Sequence, residues 1–368
     1  MSALLHPRPT VLDLFAGAGG LGLGLTWAGF RVQAANEYEP VFAATYALNH
    51  PETAVVAGDV LDPNIRADLL AAARGVDVVA GGPPCQGFST VGKKDEDDPR
   101  NKLFYAFLEI VGSLKPRAVL FENVSGFHRM YGGRAFQALN KGLEDLGYAS
   151  PHFAILNAMD FGVPQSRQRT FVVAFRAKSP FRFPEPTHGE HGSLFQGKPP
   201  LTLADALSDL PVVRSGESSD RYLAPPQNDY QTRMRKGAGE TLTEHAGPWH
   251  GERLLAVLAH VPPGGTILDV PEKLRPRSYF ANTYSRLWWD RPATTITRNF
   301  GTPSSSRCIH PKTDRGLTTR EGARLQSFPD AYRFTGTRIR KNLQIGNAVP
   351  PLLAQALGTE IFRALANL

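Results

Sequence analysis

Between residues 10 and 175, short runs of branched and aromatic residues alternate with stretches of helical spacing, and this alternation limits the fold more than any other feature of the chain. Thr10-Val11-Leu12-Asp13-Leu14 reads as a strand, followed by a glycine-rich turn and a helix ending near Gly29. Arg31 to Asn36 predicts a second strand and Val41 to Leu48 a helix. Val76 to Gly81 and Ala118 to Asn123 predict further strands, and between them Leu103, Phe104, Phe107, Leu108, Val111 and Leu114 share one helical face. Ala135 to Leu146 gives another helix, and Phe153 to Asn157 and Thr170 to Phe175 give closing strands. Strands alternating with helices imply an α/β fold with a doubly wound, mostly parallel sheet. Ligands of such a sheet bind beyond the carboxyl ends of its strands.

The alternation breaks near Ser179-Pro180, where proline, glycine and polar residues take over as far as about Tyr284. We expect a catalytic and cofactor-binding domain over 1–180, a smaller irregular domain of short strands and long loops with its hinge over 181–334, and a segment over 335–368 that returns to the first domain. A chain of 368 residues exceeds the size of a single core, roughly 250–300 residues. No apolar run reaches the ~18 residues of a membrane span. The first residues lack the pattern of a secretory leader. The two cysteines cannot form a disulfide framework, and the ten histidines show no ligand spacing. These features predict a cytoplasmic monomer with no metal and no membrane partner. Residues 1–180 hold 17 Lys/Arg and 17 Asp/Glu, whereas 181–368 hold 24 and 17, so the net charge of +7 lies in the second half. A basic half suits a polyanion, or is simply a solvated basic surface.

Gly17-Ala18-Gly19-Gly20-Leu21-Gly22 satisfies G-x-G-x-x-G, with Glu37 twenty residues beyond Gly17. That pattern fits a nicotinamide dinucleotide. It also fits S-adenosylmethionine, which we favour. Asp13, in the strand entering the turn, would repel a pyrophosphate but suits an ammonium group. Glu37 can accept from ribose hydroxyls, and Asp59 can meet an adenine amino group.

Gly82-Pro83-Pro84-Cys85-Gln86-Gly87-Phe88-Ser89 follows one strand, and Glu122-Asn123-Val124 ends the next. Adjacent parallel strands would bring the Cys85 thiol and the Glu122 carboxyl to one pocket. A buried, inert cysteine is the plainer alternative. Cys308 has no neighbours that point to chemistry and is expected to be structural.

In order along the chain, Asp13-Leu14-Phe15-Ala16-Gly17-Ala18-Gly19-Gly20, the Cys85 loop, Glu122-Asn123-Val124, Gln165-Ser166-Arg167-Gln168-Arg169, Arg291-Pro292-Ala293-Thr294-Thr295-Ile296 and Gln344-Ile345-Gly346-Asn347-Ala348-Val349-Pro350-Pro351 resemble the conserved blocks of the cytosine-C5 DNA methyltransferases, of the bacterial type. The resemblance spans roughly 10–177 and 284–360. It implies methyl transfer from S-adenosylmethionine to C5 of a flipped-out cytosine in double-stranded DNA, as the modification half of a restriction-modification system with a separately acting endonuclease. A relative acting on transfer RNA keeps an RNA substrate open as the alternative.

The chemistry of the residues agrees with that resemblance. C5 of cytosine is a poor nucleophile until a thiolate adds to C6, and a protonated carboxyl at N3 stabilises the resulting charge. This role requires Cys85 to ionise beside a positive group, and Glu122 to keep a proton through burial. Arg167 and Arg169, one residue apart on a strand, are expected to share a face. The resemblance assigns Arg169 to the base and Arg167 to the support of the site. It also makes Phe15, Ala16, Gly17, Gly19, Gly20, Leu21, Glu37, Tyr38, Asp59, Val60, Pro84, Leu103, Asn347 and Ala348 cofactor contacts. DNA contacts are expected from Gln86, Ser89, Lys93 and Lys94 in the loop after Cys85. Arg233, Arg235, Lys236, Arg275 and Arg277 are expected to add to them from the middle, target-recognition segment, where ordinary surface charge is the alternative.

Overall fold

The computed structural model describes residues 8–84, 101–189 and 197–368. The chain forms two compact units, one of Met1–Asn157, Gln168–Glu185 and Leu353–Leu368, the other of Ala158–Arg167 and Pro186–Leu352. The boundaries differ from those expected at 180 and 335. The first unit runs on to Glu185, gives up 158–167 to the second, and resumes only at Leu353.

The first unit is built on strands β1 (Thr10–Leu14), β2 (Arg31–Glu37), β3 (Ala54–Ala57), β4 (Val78–Gly81), β5 (Ala118–Val124), β6 (His152–Asn157) and β7 (Gln168–Phe175). They form one sheet in the order β3-β2-β1-β4-β5-β7-β6. The first five pair in parallel, and β7 runs antiparallel to both β5 and β6. Central strands covered on both faces need unbroken apolar runs, and every residue of β4 is buried.

The covering helices are α1 (Gly20–Trp27), α2 (Pro40–Asn49), α3 (Pro63–Ala72), α4 (Asn101–Leu114) and α5 (Arg134–Asp145). Phe104, Phe107, Ile110 and Val111 of α4 enter a core with Val79, Val119 and Phe121, as the helical spacing requires. Strand β3 and helix α3 carry weak apolar periodicity and are additions to the expected list. The Asp62 side chain caps α3 by accepting from Asn64 N, with Pro63 fixing the first turn. The chain order reverses between β1 and β4, and the loops that follow these strands leave from that switch point.

The second unit contains short helices α6 (Leu203–Leu207), α7 (Asp229–Arg235) and α8 (Glu252–Leu258). Strands β8 (Ser285–Arg286) and β9 (Arg307–Ile309) follow, then helices α9 (Thr319–Leu325) and α10 (Arg338–Asn347). Short strands were expected here, yet among the described residues only β8 and β9 pair, beside a few isolated bridges. The irregular backbone leaves carbonyls without a ladder, and buried arginines supply the donors. Arg286 donates to Val261 O (2.6 Å), Leu258 O (2.7 Å), His310 O and Thr313 O (both 2.8 Å). Arg315 holds Glu321 through two bonds of 2.8 Å and also donates to Val213 O. Burial alone would raise the Glu321 pKa, but Arg315 outweighs it and holds that carboxyl well below the usual range. Arg324 is clamped between Asp209 and Asp330. Several arginines of the second half are therefore internal and paired with acids of the same half.

The last helix, α11 (Pro351–Ala366), belongs to the first unit from Leu353 onward. Its Phe362 ring meets Phe30 edge-on at 5.5 Å. Among the described residues no helix is long and apolar enough to cross a membrane, and no cluster of His, Cys, Asp and Glu could hold a metal ion.

Candidate active site

The loop after β1 begins with strain. Phe15 takes a left-handed φ of 55°, which non-glycine residues rarely adopt and which concentrates at functional positions. Ala16 N donates to Asn36 O and Gly17 N to Glu37 Oε2, at 3.0 and 2.8 Å, so the end of β2 carries the loop. Gly17 has φ 56°, and a Cβ there would meet nothing within 4 Å, which leaves open room over the loop. Glu37 Oε1 accepts from Glu39 N at 2.9 Å. Each carboxylate oxygen still has a lone pair for a ribose hydroxyl. Burial raises the Glu37 pKa, while its backbone hydrogen bonds lower it.

Tyr38, beside Glu37, is 64% exposed. Asp59 is exposed, with Oδ1 accepting from Leu61 N at 2.9 Å. This set fits an adenosine bearing a charged tail. Ala16, Leu21 and Val60 are buried, and Leu103 packs on the sheet core. Gly19, at φ 89°, precedes the buried Gly20, the first residue of α1.

Asp13 differs from expectation. Its side chain is fully buried and accepts from the Tyr46 hydroxyl at 3.1 Å, so it faces no ligand. Strand alternation turns it beneath α1, away from the loop. Burial, opposed by hydrogen bonds from Tyr46 and Gly22, pushes its pKa up to about 8.

The second cluster lies where β4 and β5 end side by side, with Gly81 paired to Phe121. Gly82 follows, and a Cβ there would lie 2.5 Å from Glu122 Oε2. The Glu122 carboxylate thus lies directly against the loop at Gly82, where any side chain would displace it. Asn123 Nδ2 donates to Pro83 O at 3.0 Å, tying the same loop to β5. Arg169, opposite Val124 on β7, reaches Glu122 Oε1 with Nε at 3.1 Å. The two side chains are only 15% and 14% exposed. Sequence reasoning relied on burial alone at Glu122, whereas this guanidinium stabilises negative charge on one of its oxygens. Pro84 is exposed and is the last described residue before Cys85. Cys85, Gln86, Ser89, Lys93 and Lys94 lie outside the described residues.

Arg167 and Arg169 do not share a face. Arg167 precedes β7 and belongs to the second unit, fully buried, with Nη1 on Ile296 O (3.0 Å) and Nη2 on Gly346 O (2.8 Å). It joins three of the sequence motifs rather than meeting a nucleotide. Gln165 joins two of them, accepting from Ile296 N at 2.7 Å, and also donates to Leu325 O at 2.8 Å. Asn347 is exposed at the end of α10, and Ala348 is its half-buried cap.

Of the basic candidates in the middle segment, two make hydrogen bonds within the chain. Arg235 lies over the Tyr222 ring at 3.6 Å and donates to Ala224 O at 2.7 Å. Arg275 donates to Val270 O (2.7 Å) and Leu268 O (2.8 Å). Their guanidiniums meet local carbonyls that an irregular backbone leaves open, which composition does not reveal. Arg233, Lys236 and Arg277 face solvent. Cys308 is buried, its thiol pushed up to about 12 by desolvation, and donates to Thr302 O.

Known proteins resemble this chain along almost its whole length. Residues 9–363 match the family model of C-5 cytosine-specific DNA methylases. The Type II methyltransferase M.AgeI of Thalassovita gelatinovora is 35% identical over 96% of this chain and 99% of its own. M.DdeI of Desulfomicrobium norvegicum is 37% identical over 95% and 88%. A crystal structure of an Escherichia coli prophage chain, described as a DNA modification methyltransferase, superposes with a TM-score of 0.77 at 27% identity, over 98% of this chain and 100% of that one. The Schizosaccharomyces pombe Dnmt2 structure, at 19% identity and TM-score 0.62 over 98% and 99%, shares the fold.

Proposed function

The chain belongs to the C-5 cytosine-specific DNA methylases, and we propose that it acts on a flipped-out cytosine in a short duplex site through a covalent Cys85–C6 intermediate. Its reaction is methylation of cytosine C5 in DNA. S-adenosylmethionine, the methyl donor of this fold, supplies an electrophilic methyl group when bound. Relatives at 35–37% identity that act as Type II enzymes favour DNA over transfer RNA, since the Dnmt2 likeness at 19% is one of fold. Their Type II names also support pairing with a separate endonuclease.

The observation that carries the residue assignment is the arrangement of Glu122 against Gly82 on one side and Arg169 on the other. When the base enters, Glu122 takes its neutral form, with Oε1 accepting from Arg169 and the proton on Oε2 aimed at N3. Arg169 holds the carboxyl in that orientation and reaches the base O2. Addition of the Cys85 thiolate to C6 then makes C5 electron-rich. After C5 has been alkylated, loss of its proton expels the thiolate by β-elimination. Asn123 fixes the loop that carries the thiol. Phe15, Gly17, Glu37, Tyr38 and Asp59 hold the nucleoside of the cofactor. Arg167 acts as a support, while Asn347 and Ala348 are assigned by their motif.

Bisulfite sequencing of DNA from cells expressing the chain gives product and site together. A duplex of that site carrying 5-fluorocytosine should form a stable adduct with the chain and none with Cys85→Ala. Methylation without an adduct, or full turnover by Cys85→Ala, overturns the covalent route.

A further inference from the structure

We propose that Phe280 is a stacking wedge, a ring that inserts against a base of the substrate duplex while Arg277 takes an adjacent phosphate. The proposal rests on the DNA-methylating function above and assigns the way in which the second unit grips its substrate.

Phe280 is 77% exposed, an unusual position for a large aromatic. It is nonetheless held on a fixed scaffold. Phe280 N donates to the Thr283 hydroxyl at 3.2 Å, and that hydroxyl donates back to Phe280 O at 2.8 Å. Thr283 N adds a third bond to the same carbonyl at 3.0 Å. Thr283 is itself buried, and the next residue, Tyr284, packs into the small core around Val257, Ile267 and Ile309. On the other side Arg275 fastens the segment to Val270 O and Leu268 O. Both flanks are anchored while residues 277–282 stand in solvent.

Of the charges near the ring in sequence, Lys273 and Arg277 are exposed, Arg275 and Arg286 are spent on backbone carbonyls, and the acids Glu272 and Asp290 lie just beyond. The occupant follows from the function above: stacked bases flanked by phosphates offer a π-face to Phe280 and negative charge to Arg277 beside it. An aromatic ring needs no particular base, so Phe280 strengthens the grip and deforms the helix while Arg277 sets the register on the backbone.

The test measures binding of the duplex site found by bisulfite sequencing, over a range of salt, for wild type, Phe280→Ala, Phe280→Tyr and Arg277→Ala. S-adenosylhomocysteine affinity serves as the check that each variant is folded. Phe280→Ala should bind about tenfold or more weakly with an unchanged salt slope, because the ring neutralises no phosphate. Phe280→Tyr should keep its affinity, and Arg277→Ala should lower the slope by about one. Undiminished affinity in Phe280→Ala overturns the proposal, as does an equal loss in Phe280→Tyr. If wild type leaves DNA unmethylated in the same preparation, the functional reading fails instead.

Discussion

Arg169 and Glu122 meet across antiparallel strands, Nε to Oε1 at 3.1 Å, at the end of the sheet where the loop to Cys85 departs. The pair keeps the carboxyl in one rotamer and leaves its second oxygen beside Gly82. Glu122→Gln preserves this shape but cannot give up a proton to N3. Its single-turnover rate should fall by about 10²–10⁴-fold, the range for loss of a general acid. S-adenosylhomocysteine affinity, measured by calorimetry, should stay unchanged.

Asp13 makes the stability of the first unit depend on pH. Its pKa is pushed up to about 8 by burial, with the Glu37 charge adding to that push. Between about pH 4 and pH 8 the folded chain keeps this proton and the unfolded chain releases it. The contribution is therefore fully present below pH ~4 and is lost as pH rises, by at most about 1.4 kcal/mol per unit. Asp13→Asn should remove this slope. Denaturant unfolding of both proteins from about pH 5 to about pH 8 checks it, and a difference that does not change with pH counts against the assignment. His50, kept neutral by burial, slopes the opposite way in both proteins and cancels in the comparison.

Gly22 sits against the same pair. A Cβ there would come within 2.8 Å of Asp13 Oδ2 and closer still to the Tyr46 hydroxyl. Gly22→Ala should cost about 1–3 kcal/mol, as overpacked cores do. Adding Tyr46→Phe removes the nearest clash, so the double variant should lose less than the sum of the two single changes. Thermal unfolding of the four proteins tests that coupling.

Arg324 is enclosed by Asp209 and Asp330, and its removal leaves two buried carboxylates facing each other. Arg324→Ala should destabilise by about 3–5 kcal/mol. The exposed Lys236→Ala should stay within about 0.5 kcal/mol of wild type. Denaturant midpoints separate the two cases.

The sheet was legible because a buried parallel strand and an amphipathic helix each impose a period on the sequence. The run Val78–Gly81 and the face of Phe104, Phe107 and Val111 carry those periods directly. The ends of β4 and β5 followed, and with them the neighbourhood of Glu122. Where no period exists, legibility stopped. The second unit is held by guanidiniums on backbone carbonyls, and nothing local distinguishes Arg286 or Arg315 from an arginine in solvent. Arg235 and Arg275 hold local carbonyls as well, which their sequence neighbours do not reveal. Arg167 was misplaced because alternation was carried one residue past the start of β7. Asp13 was set facing a ligand on the proximity of its motif, whereas the side of the strand decides where a side chain goes.

The first unit gathers its own elements from both sides of the long Pro186–Leu352 insertion. A ribosome adding about 5–20 residues per second needs on the order of ten seconds or more to make that stretch. Throughout that interval Leu25 of α1 and the Phe30 that follows it lack Phe362 and the rest of α11, which pack against them in the folded chain. Translation therefore delivers the outer side of α1 uncovered first, and a holding chaperone bound during synthesis would meet its client on that face.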